Sequence, residues 1–558
     1  TIDFITNFQP NNKNVFRVMD VKLKNKYDVI VIGGGITGAG TARDCAMRGL
    51  SVLLIERFDF AQGATGRNHG LLHSGARYAV TDQESATECI QENMILRKIA
   101  SHCVDETDGL FITLPEDDLA YQATFVESCQ RAGIRADIID PQEAKILEPA
   151  VNPSLIGAVR IPDASIDPFR LTVANVVDAR IHGADVITYH EVTELIIDQT
   201  RVVGVKMRDQ YTGEIREVYA DLTINAAGIW GMLVAKMAGI TVNMFPAKGA
   251  LLIFGHRVNN MVINRCRKPA NADILVPDDN VCVIGTTSDR VPIETCDDMR
   301  VTDEEVEVLL TEGAQLAPAL ATTRILRAYA GVRPLVASDH DPSGRSISRG
   351  IVTLDHATRD GLEGFVTITG GKMMTYRLMA EMVTDLVCKK LGVNKACETA
   401  TTPLPGSESK QSEEKLRTFS FADKAAEGRH GTYTKEIVKP ADELDEALVC
   451  ECEGVSVAEV NYAVNSQHVN NMIDLRRRTR MGMGTCQGQL CSCRAAGLLC
   501  QGNHADKAAA DLADFIDERW KGMKPVAWGA TLNEAQLITM VYEDLCGVNQ
   551  FVKEGGMK

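Results

Sequence analysis

Residues 27–32 (YDVIVI) form a short β-branched run, and three glycines follow it at once. Residues 37–49 then carry helical spacing up to Gly49, and 51–56 (SVLLIE) return to an apolar run. Strand, helix and strand within about 30 residues make one βαβ unit. Segments 186–197 and 202–207 read as strands, with a hairpin turn near Thr212-Gly213. They predict an antiparallel sheet beside the βαβ fold. From 221 an apolar strand again runs into a glycine (LTINAAGIW), and 364–387 repeats the strand–glycine–helix order (GFVTITGGKMMTYRLMAEMVTDLV). The stretch 401–443 is rich in Thr, Pro, Ser, Glu and Lys with little periodicity, which predicts a linker. A polar helical tail with Trp520 and Trp528 follows, and the chain has no internal repeat.

A chain of 558 residues exceeds one ordinary core, and roughly 150 residues per domain gives three or four units. The expected division is an extension over 1–24, a large α/β unit with an inserted antiparallel-sheet domain over 25–400, and a linker over 401–444. A small α-rich unit over 445–500 and a helical tail over 501–558 complete it. Apolar content of 45% and charged content of 24% are ordinary for globular proteins. No window holds the roughly 18 apolar residues of a membrane span. The first 24 residues lack the apolar centre of a signal peptide and read as a loose extension, which predicts a cytoplasmic chain.

The net charge of −16, with no long basic block, argues against a nucleic-acid binder. It leaves small phosphorylated substrates open, because a pocket needs only two or three local cations. Of the 16 cysteines, ten are scattered singly and read as buried thiols. The other six, between Cys450 and Cys500, crowd into one short stretch, which in a cytosolic chain suggests a metal or redox site.

The glycines form Gly33-Gly34-Gly35-Ile36-Thr37-Gly38, a G-x-G-x-x-G between strand and helix. Gly33 permits the tight turn, Gly35 lets the backbone approach a pyrophosphate, and Gly38 lets helix and strand pack closely. Glu56 ends the next strand, where a carboxylate accepts from ribose hydroxyls. The motif itself does not separate NAD from FAD.

Three further passages bear on that choice: 62–78 (QGATGRNHGLLHSGARY), 223–230 (TINAAGIW) and 368–377 (ITGGKMMTYR). With IGTTSD at 284–289 and YAGVRPLVAS at 329–338, the chain over about 25–400 resembles the FAD-dependent glycerol-3-phosphate dehydrogenase family. That family lies within the larger group that includes D-amino acid oxidases. The resemblance implies a two-domain α/β flavoprotein of the Rossmann type, binding FAD and oxidising glycerol 3-phosphate. It extends the cofactor contacts from Gly33, Gly35, Gly38 and Glu56 to Arg57, Thr65, Gly66 and Arg67, and to Gly228. Gly370 and Gly371 would open a helix facing the flavin pyrimidine, with Lys372 and Thr375 beside them. Substrate contacts fall on Arg77, Tyr78, Arg333 and Lys372, since a desolvated phosphate needs charge-assisted donors; each cation read singly is also a candidate structural ion pair. His73 occupies the family's histidine position and reads as a base or as a loop-bonded structural histidine. The family's other histidine, after a Lys-Gly step, has no counterpart: Ala250 and Leu251 follow Lys248-Gly249, so no base carries over from there.

A second centre is Cys450-Glu451-Cys452, followed after 33 residues by Cys486 and then Cys491. Two close pairs of thiolates suit a tetrahedral zinc or a [2Fe–2S] cluster. The pattern, with its flanking MGMGTCQGQLC, resembles the BFD-like [2Fe–2S] domain, which favours Cys491 over Cys493 as the fourth ligand; zinc and unligated thiols are the alternatives. The run Arg476-Arg477-Arg478-Thr479-Arg480 reads as a solvated face, or else as compensation for an anionic cluster or a dock for an acidic partner.

A flavin takes two electrons together and a cluster passes them singly, which points to a dehydrogenase handing electrons onward. With its BFD-like C-terminal domain the chain resembles the anaerobic members of that family. The resemblance therefore implies two partners, a membrane-anchored iron–sulfur subunit leading to quinone and a second soluble subunit. It places this chain peripherally on the cytoplasmic face of the inner membrane. A flavin amine dehydrogenase with an iron–sulfur module and a non-catalytic electron relay are the rival readings.

Overall fold

Lys26–Ile32 (β1), Ile36–Met47 (α1) and Val52–Ile55 (β2) form the βαβ unit in the computed structural model, which describes residues 23–336, 350–408, 420–438, 443–500 and 505–548. Most of the proposed N-terminal extension, parts of the linker and tail, and the end of YAGVRPLVAS lie outside the described residues. β1 pairs in parallel with β2 on one side and with Ile215–Asn225 on the other. Its apolar run is buried on both faces, as a central parallel strand must be. α1 lies over the sheet on small residues: Ala39, Ala42, Cys45 and Ala46 pack with Val29, Val31 and Leu54, and with Val383 and Val387 of helix Tyr376–Leu391. Each such branched side chain contributes about 1.5–3 kcal/mol on burial.

The hairpin at Thr212-Gly213 is present, but its strands are not a separate sheet. His190–Asp198 and Arg201–Asp209 continue the sheet of β1, because the long strand Ile215–Asn225 pairs antiparallel with Arg201–Asp209 through its first half and parallel with β1 through its second. Phe365–Gly370 joins the same strand in parallel. The inserted sheet comes from other segments, including Gly109–Thr113, Gly157–Ile161, Met244–Phe254, Val262–Arg265, Cys282–Gly285 and Ile325–Val336. Its described pairings are mostly antiparallel, whereas Gly109–Thr113 and Val262–Arg265 run parallel.

The described residues divide into two compact units: 23–323 with 328–408, and 420–548 with 324–327. Of the stretch expected as a linker, the described residues 401–408 belong to the first unit, and 420–438 and 443–444 to the second. Leu404 is fully buried in the first unit, its N–H donating to the Ile99 carbonyl at 2.7 Å. Helix Phe421–His430, which starts on a Ser420/Asp423 capping box, belongs to the second.

The second unit has a two-strand hairpin, Leu448–Cys450 with Val455–Ser456, among helices that include Val457–Ser466, Met472–Thr479, Ser492–Leu499 and Ala505–Met523. They share one core containing Val449, Leu475, Met481, Cys491, Phe515 and Ile516. The arginine run is not a solvated face: Arg476, Arg477, Arg478 and Arg480 are all buried. For three of them, acceptors inside the unit stand in place of water. Arg478 Nε donates to the Gln467 carbonyl at 2.8 Å, Arg480 Nε to Glu453 at 3.0 Å, and Arg477 lies 4.0 Å from Asp474. Among the described residues no helix is long and apolar enough to cross a membrane.

Candidate active site and cysteine centre

The glycine turn is required by contact distances. A Cβ on Gly38 would fall 1.8 Å from the Gly33 carbonyl oxygen, so the first turn of α1 sits directly on the end of β1. Gly35 is the residue before the helix, which leaves the backbone N–H groups of the first turn facing outward. The Glu56 carboxylate spans the turn, accepting from the Gly34 N–H at 2.6 Å and the Phe58 N–H at 2.9 Å. Burial pushes its pKa up, and these two N–H bonds oppose that.

A cavity of about 440 Å³ runs from this turn through the first unit, within the 300–1,000 Å³ typical of ligand sites. Its wall brings together Gly33, Gly35 and Glu56 with Arg57, Thr65 and Arg67, then Gly228, Gly370 and Gly371. Thr65 Oγ1 accepts from the Ile36 N–H at 3.1 Å, and Arg57 stacks 5.2 Å from the Trp230 ring. A glycine-lined cavity at a helix N-terminus, with a carboxylate at its rim, fits a dinucleotide such as FAD. Three expected contacts lie behind the wall. Gly38 and Gly66 serve close packing, a Cβ on Gly66 meeting the Ala61 carbonyl oxygen at 2.2 Å. Thr375 is buried and its hydroxyl binds the Lys372 backbone. Gly370 and Gly371 precede a 3-10 turn, Met373–Thr375, and the α-helix begins only at Tyr376.

The cavity also gathers His73, Arg77, Tyr78, Arg333 and Lys372. His73 is 7% exposed, with its ring 5.6 Å from that of Tyr78. Lys372 Nζ sits 4.7 Å from the centre of the Tyr78 ring, a cation–π contact. The two arginines differ. Arg77 Nη2 bonds the buried Asp273 carboxylate at 3.1 Å and the Ala270 carbonyl at 3.1 Å. Arg333 binds neutral acceptors: the Thr287 carbonyl at 3.1 Å, the Ser288 hydroxyl at 3.3 Å and the Thr286 hydroxyl. Gly249 makes room for it, since a Cβ there would lie 2.6 Å from Arg333 Nη2.

The loop holding Arg333 was only half visible in the sequence. The IGTTSD motif supplies those contacts through the Thr286 and Ser288 hydroxyls and the Thr287 carbonyl. Behind it lies a buried pair, Lys248 Nζ to Glu305 at 2.6 Å, whose other carboxylate oxygen accepts from Thr287 at 3.1 Å. Lys248 thus acts as an internal counter-charge.

In the second unit the four cysteines stand as two pairs, Cys450 with Cys491 and Cys452 with Cys486. Among the described residues no three His, Cys, Asp or Glu side chains converge as around one metal ion. In each pair one thiol donates to the other, which holds Cys450 and Cys452 down and drives Cys486 and Cys491 up. Backbone N–H groups of Gly482 and Glu453 reach Cys450, that of Cys486 reaches Cys452, and those of Leu490 and Gly488 reach Cys486. A Cβ on Gly484 would lie 2.4 Å from Cys452 Cβ, so the two cysteine loops touch backbone to side chain. Four thiols ringed by amide donors fit an anionic [2Fe–2S] cluster. Cys493 faces elsewhere; it is exposed and lies beside Cys546. Of the ten scattered cysteines eight are buried, whereas Cys397 is half-buried and Cys546 exposed.

Residues 28–377 match the FAD dependent oxidoreductase family, and 448–500 match the BFD-like [2Fe-2S] binding domain. Fold and site thus define an FAD-dependent oxidoreductase carrying a [2Fe–2S] module, which sets aside zinc and unligated thiols. The chain is 60% identical over 533 residues to the A subunit of the anaerobic glycerol-3-phosphate dehydrogenase of Escherichia coli K12, covering 94% of this chain and 98% of that one. It is 59% identical over 527 residues to the corresponding protein of Haemophilus influenzae, covering 94% and 93%. The glycerol-3-phosphate dehydrogenase of Bacillus halodurans, solved with FAD, shares the fold at a TM-score of 0.68 and 22% identity, over 90% of this chain and 96% of that one. The chain belongs to the family of anaerobic glycerol-3-phosphate dehydrogenase A subunits.

Proposed function

We propose that this chain oxidises sn-glycerol 3-phosphate to dihydroxyacetone phosphate and passes the electrons through its [2Fe–2S] module toward quinone. One observation carries the reading. A single cavity joins the dinucleotide turn at Gly33–Gly38 to a cationic end with Arg333 and Lys372, segments some 300 residues apart in the chain.

Bound FAD supplies the acceptor for the C2 hydride. The chain's own residues do the rest. Arg333 and Lys372 hold the phosphate, and the Ser288 hydroxyl and Thr287 carbonyl orient the Arg333 guanidinium. Arg77 shapes the wall while sharing its charge with Asp273. His73, buried against Tyr78 on the cavity wall, accepts the C2 hydroxyl proton, a task suited to an imidazole at neutral pH. Cys450, Cys452, Cys486 and Cys491 hold the cluster. The relatives named above are A subunits, which supports partner subunits for this chain; on this reading the partners are a second soluble subunit and a membrane-anchored iron–sulfur subunit. This chain then lies peripherally on the cytoplasmic face of the inner membrane.

An anaerobic visible spectrum of the purified chain, taken before and after glycerol 3-phosphate, tests the reading. Bleached flavin bands with residual iron–sulfur absorbance are expected. Flavin that stays oxidised with glycerol 3-phosphate but bleaches with an amino acid would overturn the substrate assignment.

A further inference from the structure

Helix Ala505–Met523 lies beyond the residues matched as the iron–sulfur domain, yet it packs into the cysteine core. Its Phe515 ring fills space that the cysteine loop leaves open, 2.7 Å from where a Cβ would stand on either Gly482 or Gly488. One helical turn further on is Arg519, on the same face. Arg519 is 2% exposed, and Nε, Nη1 and Nη2 are all buried without a hydrogen-bond partner among the described residues. Its one named contact is the Phe515 ring, 5.8 Å from the guanidinium carbon. Arginine stays protonated in proteins, and an unpaired charge in the interior costs several kcal/mol. A fold that keeps such a residue needs a counter-charge close by.

The charges around Arg519 narrow the choice. Burial and the neighbouring Arg327 and Arg476 disfavour its charge, while Glu518 and Cys491 favour it. Glu518 is itself shared, lying 3.7 Å from Arg327. The cysteine centre is the place where net negative charge is added when its four thiols become cluster ligands, and reduction adds one charge more.

We propose that Arg519 is a positioning residue for the [2Fe–2S] cluster: its buried guanidinium balances the cluster's negative charge and raises the potential at which it accepts an electron. The helical tail is then part of the redox centre. The role rests on the iron–sulfur assignment and is independent of the substrate.

The test uses the full chain with both cofactors, comparing Arg519→Met, which keeps length and loses charge, with Arg519→Lys, which keeps charge. Midpoints are read by electron-paramagnetic-resonance-monitored titration. At a fixed poise near the parent midpoint, Arg519→Met should lower the reduced-to-oxidised ratio of the cluster about tenfold, a shift of 59 mV to lower potential for a one-electron couple. Arg519→Lys should recover most of that ratio. A cluster in Arg519→Met at the parent's potential overturns the proposal. Melting of the cluster-free chains gives a second readout that holds even if the Met variant takes up no cluster. Removing an unpaired buried charge should leave apo Arg519→Met at least as stable as the apo parent, and an apo variant that melts lower makes Arg519 merely structural. Flavin bleaching by glycerol 3-phosphate, recorded on the same samples, reports separately on the substrate reading.

Discussion

The two units treat buried arginines differently. In the flavin unit they are closed by carboxylates: Arg43 with Asp178 at 2.5 Å, Arg377 with Glu92 at 2.5 Å, Arg48 with Asp44 at 2.8 Å and Arg265 with Asp117 at 2.7 Å. The cysteine unit closes Arg429 in the same way on Glu459, at 2.5 Å, but leaves Arg519 with no hydrogen-bond partner among the described residues. The flavin unit balances these charges with its own side chains and holds a glycine-lined cavity. The cysteine unit is balanced only when a group made partly of its own thiolates is counted. A cofactor cradle and a cofactor-dependent core are thus two solutions in one chain, and they should fail in different ways.

The largest expected effect is a crossed loss. Gly38→Val puts a branched side chain where even a Cβ falls 1.8 Å from a carbonyl oxygen, so flavin per chain should drop more than tenfold while iron content holds. Cys491→Ser should do the reverse, emptying the iron site and leaving a flavin that glycerol 3-phosphate still bleaches. Flavin and iron assays on both variants decide it. Either substitution emptying both sites would mean that the two centres are not independently built.

Next come opposite responses to acid. Burial alone would push Glu459 up, but Arg429 and His430 override it and hold the carboxyl at about 2, below its ordinary 4.5. A depressed acid stabilises above its unfolded pKa, and that contribution is lost as pH falls through the folded value. The cysteine unit should therefore lose about 3 kcal/mol between roughly pH 4.5 and 2. In the flavin unit burial raises Asp163 to about 6 from 3.8, although the Ser74 N–H donates to it at 2.7 Å. There the sign reverses: the group costs about 3 kcal/mol above pH 6, and the cost fades as pH falls toward 4. Calorimetry of Glu459→Gln and Asp163→Asn against the parent, across pH 3–8, should show differences that shrink toward acid for both, destabilising for the first and stabilising for the second. Equal signs would refute the contrast.

Much of this was legible in the chain. YDVIVI, the glycines and Glu56 announce the βαβ unit because strand and helix periodicities are local, and the cysteine spacings announce the second centre for the same reason. What stayed hidden depends on distant partners. The strands over 190–225 join the sheet of β1 through one long shared strand, which no local pattern encodes. The arginine run looks solvated until Glu453 and the Gln467 carbonyl come to it from other segments. The stretch read as a linker holds a helix whose Arg429 and His430 are buried on Glu459. Arg519 sits in a helix whose composition reads as a polar tail, and Leu512, Phe515, Ile516 and Met523 in the core show which face is inside.

The smallest effect separates two arginines that the sequence treats alike. A charge-assisted hydrogen bond contributes about 1.5–3 kcal/mol, so losing one to substrate is worth roughly 10- to 150-fold in KM. Arg333→Met should fall in that range with FAD still bound, because the named acceptors around its guanidinium are hydroxyls and carbonyls. Arg77→Met should raise KM less than about threefold, since Asp273 already draws on that charge. Asp273 would not be stranded, as Arg267 stays 2.7 Å away. Steady-state kinetics on the two variants, with bound flavin counted, separates the cases. If Arg77→Met matches Arg333→Met, the phosphate lies between them and the Asp273 pair opens on binding. If neither moves KM, the phosphate is held at Lys372 alone, and the cationic end of the cavity is smaller than its wall suggests.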